Sequence, residues 1–272
     1  MLPVGLQLYS LREQAAADLE GTLKKIHEMG YAGIEFAGLY GHSPEEVKEL
    51  LAKYDLKPVS AHISINEFLA DIPGTVAAYK SIGCQYAAIP WLDEPRRPGH
   101  EKWGETLEQI RQIAEECRKQ GLTLMYHNHD FEFEKIDGEY ALDQLYATIP
   151  ADLLQTEFDT CWVHFAGEDP VKYLQKYAGR CPVVHLKDYF STGEKADPAY
   201  DLIGQAPRAK RDRSGFEFRT LGQGRVPVDA VAKASEEAGA NWLIVELDSP
   251  PAGMTSEESV RESRKYLTSV GY

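Results

Sequence analysis

Basic side chains are scarce in this chain: 29 Lys and Arg face 43 Asp and Glu, a formal charge of −14. A nucleic-acid partner needs a cationic surface that displaces counterions, so this balance argues against a polyanion-binding protein. It still leaves room for a small, locally cationic site for an anionic sugar. Cysteine is sparse as well. Cys84, Cys117, Cys161 and Cys181 are widely spaced with no CxxC pair. That argues against a disulfide framework or a thiolate zinc site, and for buried, reduced thiols. No apolar run approaches the roughly 20 residues of a membrane span. The start, Met1-Leu2-Pro3-Val4-Gly5-Leu6, lacks the basic segment of a signal peptide. A soluble cytoplasmic protein without a membrane partner is expected. Internal repeats, low-complexity tracts and a linker to a second domain are missing too, so a single domain over residues 1–272 is expected.

What the chain does have is a regular alternation. Short apolar, strand-like runs lie at 4–9, 33–36, 57–63, 86–90, 122–127, 153–158, 182–187 and 242–247. Several are nearly continuous in apolar residues, the pattern of strands covered on both faces. Amphipathic helical stretches separate them. Leu19, Leu23 and Ile26 repeat on one face, Ser43-Pro44-Glu45-Glu46 is a helix start, and Gly121 closes a helix marked by Leu107, Ile110, Ile113 and Ala114. Eight strand–helix units imply a parallel sheet closed into a (β/α)8 TIM barrel. A doubly wound open sheet would be favoured by a glycine-rich loop after the first strand. That junction reads Leu8-Tyr9-Ser10-Leu11-Arg12, without glycine. One region breaks the rhythm: residues 189–224 form a long connection, expected to lie over the C-terminal mouth.

In such a barrel the chemistry sits at the C-terminal ends of the strands. Those ends are polar here. Strand three ends in His62, strand four in Trp91 and Asp93, and strand five in His127, His129 and Glu132. Strand six ends Glu157-Phe158-Asp159, strand seven His185-Leu186-Lys187-Asp188, and strand eight Glu246-Leu247-Asp248. Strand periodicity puts His127 with His129, Glu157 with Asp159, His185 with Lys187, and Glu246 with Asp248, while Asp188 faces away from the barrel axis. Carboxylates and imidazoles converging from strands five to eight suit one divalent cation, with Mn2+ leading and Co2+, Mg2+ or Zn2+ as alternatives. Each residue also has a bland reading. A lone strand-end histidine is often structural, a strand-end acid often caps the next helix, and Trp91 and Trp162 fit core aromatics. The coincidence of four polar strand ends is what singles the region out.

The segments Gly5-Leu6-Gln7-Leu8-Tyr9-Ser10, Tyr126-His127-Asn128-His129-Asp130-Phe131-Glu132-Phe133, Phe158-Asp159-Thr160, Val184-His185-Leu186-Lys187-Asp188, Leu221-Gly222-Gln223-Gly224 and Val245-Glu246 carry a resemblance. Together they make the chain resemble the xylose-isomerase-like TIM-barrel family of sugar phosphate isomerases and epimerases. The resemblance implies a metal set of Glu, Asp, His and Glu from strands five to eight. Asp159, His185 and Glu246 match the last three, and Glu132 is expected as the first, with His127 as the alternative. Glu132, Glu246 and His129 are the implied catalytic groups; His62, Trp91, His127, His129 and Lys187 the implied substrate contacts. The implied activity is a divalent-metal-dependent isomerase or epimerase of a small keto sugar or sugar phosphate, acting through an enediolate. The Tyr-His-x-His form of strand five also resembles inosose dehydratases, which makes a dehydratase or lyase on a keto-inositol or 3-keto-glycoside the alternative. A non-catalytic sugar-binding barrel and an endonuclease IV-like nuclease stand further off. A small sugar or polyol is the expected partner, and a homo-oligomer is common among enzymes it resembles.

Overall fold

The computed structural model describes residues 1–192 and 215–272. Eight parallel strands carry the fold: β1 (Val4–Gln7), β2 (Gly33–Phe36), β3 (Lys57–Ala61), β4 (Tyr86–Ile89), β5 (Thr123–His127), β6 (Leu154–Asp159), β7 (Val183–Leu186) and β8 (Trp242–Val245). They pair in the order β3-β2-β1-β8-β7-β6-β5-β4. A bridge between His62 and Ala88 brings the two outer strands together. This is the expected (β/α)8 barrel. All eight strands begin within one residue of where the apolar runs begin. Five of the runs overshoot their strands by one or two residues at the C-terminal end, where pairing stops. After β1, for instance, Leu8–Leu11 is a 3-10 turn.

Residues of β1, β2, β4 and β7 are buried throughout, as strands between a packed interior and a helical shell must be. Inside, Val59, Tyr86, Ala88, Met125, Val183 and Ile244 pack together, with Trp242 against them, and close the N-terminal end. Two glycines make room for this floor. A Cβ on Gly5 would lie 2.6 Å from Ile244 Cδ1, and one on Gly33 would lie 2.6 Å from Val59 Cγ2. Outside, the helices start where the sequence signals them. Ser43 and Glu46 form a capping box with Pro44 in the first turn, and Gly121 ends Trp103–Gln120 with φ of 77°.

Part of the long connection at 189–224 is an antiparallel ribbon: Asp188–Ser191 pairs with Phe216–Arg219. Residues 193–214 lie outside the described residues. Asp188 pins the ribbon's return. Its carboxylate accepts the backbone N–H groups of Tyr189, Gly222, Gly224 and Val226 at 2.8–3.1 Å. It thus has a structural task, in keeping with its facing away from the barrel axis. The four cysteines are buried free thiols. Among the described residues no helix is long and apolar enough to cross a membrane.

Candidate metal centre and cavity

Backbone clips hold the strand ends in place before any side chain reaches the centre. Asn128 joins β5 to β6: its Oδ1 accepts Asp159 N–H at 3.1 Å and its Nδ2 donates to Asp159 O at 3.3 Å. Thr160 Oγ1 donates to His185 O at 2.9 Å, joining β6 to β7. Ser10 Oγ accepts Leu247 N–H, tying the end of β8 to the residues after β1. Polar side chains at the ends of four strands are therefore delivered on a rigid frame.

Asp159 does two jobs. Its Oδ1 caps the helix Thr160–Phe165 by accepting from Cys161 N and Trp162 N at 2.9 and 3.1 Å. The other oxygen, Oδ2, faces the interior, 3.8 Å from His127 Nε2 and 3.0 Å from Lys187 Nζ. His185 Nδ1 lies 3.0 Å from Glu246 Oε2. Donor atoms of His127, Asp159, His185 and Glu246 all lie within 4.8 Å of one another, and all four residues are buried. A second overlapping group, His62, His127, Glu157 and His185, meets the same distance. The centre is a buried cluster of imidazoles and carboxylates that could hold a metal ion.

The charges are set by these neighbours. Burial alone would push the His185 imidazole down, but Glu35 and Glu157 outweigh it and hold it well above the usual histidine range. Burial pushes His127 well down, helped by the positive His185 and His62, and does the same to His129 with help from Lys187. Against burial, Lys187 keeps the Glu246 carboxyl well below its ordinary value. Asp248 rises to about 7, chiefly because it is buried, while Lys187 pulls the other way. Lys187 is the cation of this wall. Its Nζ lies 3.0, 2.8 and 3.1 Å from Asp159, Glu246 and Asp248.

A cavity of about 380 Å³ opens above the cluster, lined by His62, Trp91, His127, His129, Lys187 and Glu246 among others. Six of the expected site residues thus share one cavity, and Asp159 and His185 are the members of the donor group that do not line it. Trp91 meets His129 edge to face at 4.8 Å, whereas Trp162 is wholly buried. Glu132 is placed elsewhere. The 3-10 turn Phe131–Phe133 turns its carboxylate back, where Tyr126 Oη donates at 2.7 Å and His129 N–H at 2.8 Å. It belongs to neither donor group, and His127 occupies the strand-five position instead. Sequence reasoning did not pick out Glu35, on β2, or Gln7, on β1. A charged residue within a four-residue buried strand was the available signal for the first, because buried carboxylates need partners.

A family model described as Xylose isomerase-like TIM barrel matches residues 23–270. The inosose dehydratase of Geobacillus kaustophilus is 25% identical over 278 residues, covering 90% of this chain and 85% of that protein. Among solved structures, a sugar phosphate isomerase/epimerase from Parabacteroides distasonis superposes with a TM-score of 0.79 at 20% identity, over 99% of this chain and 94% of its own. An L-ribulose 3-epimerase gives 0.73 at 15% identity, over 99% and 94%. With polar strand ends gathered at the C-terminal mouth of eight parallel strands, and a family model matched over nearly its whole length, the chain belongs to the xylose isomerase-like TIM-barrel family.

Proposed function

We propose that the protein is a divalent-metal-dependent enzyme that removes the proton beside the carbonyl of a small keto sugar or keto-polyol. The observation that carries this is the donor group His127, Asp159, His185 and Glu246, buried beside a cavity of about 380 Å³. The donors suit the cation. Two imidazoles and two carboxylates match a metal of intermediate hardness such as Mn2+, Co2+ or Zn2+. His127 Nδ1 lacks a hydrogen bond, and Asp159 Oδ2 has only its ion pairs with Lys187 and, at 3.8 Å, with His127 Nε2. A bound divalent cation polarises a carbonyl and carries the negative charge that develops on its oxygen.

The chain's own groups do the rest. Glu246 lines the cavity and is held ionised by Lys187, so it can take a proton. His129 also lines the cavity and is the proposed partner for a proton of a substrate hydroxyl. His62 and Trp91 line the cavity as well, packed on His127 and on His129, and are the groups proposed to contact the sugar. Isomerisation, epimerisation and loss of water all begin with the same proton removal. An isomerase or epimerase is the simplest outcome. Dehydration is the second reading, favoured by the near-full-length similarity to an inosose dehydratase. A panel of keto sugars and keto-inositols incubated in D2O with the metal-loaded protein tests both. Deuterium at the carbon beside the carbonyl is expected, with water lost only if the second reading holds; no incorporation across the panel would overturn the proposal.

Glu132 stands outside this machinery. Burial pushes its carboxyl up to about 8, against the bonds from Tyr126 and His129 that lower it. A folded-state value above the unfolded one means that its contribution is fully present below about 4.5 and lost as pH rises through about 8. Glu132→Gln is expected to keep full metal stoichiometry. Relative to wild type, it should gain more than about 1 kcal/mol of stability between pH 5 and pH 9 in denaturant titrations. Loss of the cation in this variant would return Glu132 to the ligand set.

A further inference from the structure

Glu35 is fully buried in β2, between glycine and isoleucine on one side and phenylalanine on the other. Burying a carboxylate costs a great deal unless donors surround it, so its partners define its task. Gln7 Nε2 donates to Oε1 at 2.7 Å, and Ser60 Oγ donates to Oε2. His185 Nε2 lies 2.6 Å from Oε1 and His62 Nε2 3.1 Å from it. The backbone is shaped for this. The pairing of β2 with β3 shifts between Ile34 and Glu35, which sets Ser60, not Val59, across from Glu35. Gln7 is oriented in turn: its Oε1 accepts Tyr9 N–H at 3.0 Å, which leaves its amide N–H groups for Glu35.

His185 therefore lies between two carboxylates, Nε2 against Glu35 and Nδ1 against Glu246. We propose that Glu35 is the positioning residue of the metal centre, accepting the Nε2–H of His185 so that Nδ1 is the nitrogen offered to the cation. This rests on the metal-dependent reading above. The hydrogen bond at one ring nitrogen decides which nitrogen is free for a metal, and a carboxylate partner also raises the imidazole's strength as a donor. Glu35 touches neither the cavity nor the other ligands of that donor group, so its influence on the cation runs through His185 and the ring's orientation.

Cobalt(II) titration of the metal-free full chain tests this, with affinity read by competition against a chelating indicator and geometry by the visible absorption of the bound ion. Glu35→Gln keeps the volume but can present an amide N–H to Nε2. It is expected to bind Co2+ about 10- to 100-fold more weakly than wild type and to shift the absorption bands. Glu35→Asp, which keeps the charge, should recover part of the loss. If Glu35→Gln fails to fold by circular dichroism, 15N NMR of the histidine rings in zinc-loaded wild type decides the matter, and zinc bound through Nε2 of His185 would overturn the proposal. A folded Glu35→Gln protein with wild-type affinity and spectrum would overturn the positioning role and leave the metal reading intact. Wild-type protein that binds no Co2+, Mn2+ or Zn2+ would overturn both.

Discussion

Asp159→Asn is expected to strip the cation from the purified protein and to lower kcat/KM by about 1,000-fold, with the fold retained. The size follows from what a bound cation contributes: about 4 kcal/mol of charge stabilisation corresponds to three decades in rate. Retention of the fold follows from the division of labour within this side chain. Oδ1 holds Cys161 N–H and Trp162 N–H at the start of the helix after β6, and an asparagine oxygen can make the same bonds. The substitution falls on the other atom. Oδ2 faces His127 Nε2 and Lys187 Nζ, and an amide NH2 there has no lone pair for a metal. Elemental analysis reads the metal, substrate turnover reads the rate, and circular dichroism reads the fold. Full metal content in the variant would remove Asp159 from the ligand set. Lost metal with undiminished turnover would sink the metal-dependent reading itself.

Much of this architecture was legible in the residues. Eight apolar runs separated by amphipathic stretches are a local pattern, and they mark β1 to β8 because barrel strands are buried on both faces. The polar strand ends were legible for the same reason: His127, Asp159, His185 and Glu246 interrupt runs that would otherwise stay apolar. Their partners were not, because partnership is a property of closure. Glu35 is one charged residue in Gly33–Phe36, and only the barrel brings it to His185, 150 positions away in the chain. The irregular pairing that sets Ser60 across from it leaves no mark in a single strand's sequence. Glu132 shows a different limit. Five residues beyond His127 by count, its carboxylate could have reached the centre, and family likeness pointed that way. A short 3-10 turn decides the direction, and the buried Tyr126 hydroxyl needed an acceptor. His62 gains its partners only in the fold: none was visible in the sequence, yet its Nε2 lies 2.7 Å from Glu157 and 3.1 Å from Glu35. The ribbon in the long connection was hidden for the same reason, since its two strands pair across residues 193–214.

Lys187→Met should produce the largest loss of stability, and its size should depend on the metal and on pH. Lys187 is fully buried, with its ammonium 5.6 Å from the ring centres of Trp162 and Phe218 and 2.8–3.1 Å from Asp159, Glu246 and Asp248. Methionine keeps most of the length and an apolar stem but leaves three carboxylates facing one another without that cation. Removing one partner of a buried ion pair typically costs 3–5 kcal/mol, and the metal-free variant is expected to lose about that much in urea titrations. A divalent cation supplies replacement charge to Asp159 and Glu246 and binds only the folded chain. At about 100 times its dissociation constant it should restore about 2.7 kcal/mol. Acid should help as well. Burial already raises Asp159, and Asp248 to about 7, against the pull of Lys187, so without the ammonium both folded-state values rise further above the unfolded ones. The folded variant then binds more protons than the unfolded chain, so its stability rises as pH falls from about 7 towards 4. Wild type should show a much shallower rise, since Lys187 holds Glu246 ionised throughout. A variant as stable as wild type in chelator at pH 7 would mean that the ammonium does not neutralise this cluster. A variant that metal leaves unchanged would separate Lys187's carboxylates from the cation site.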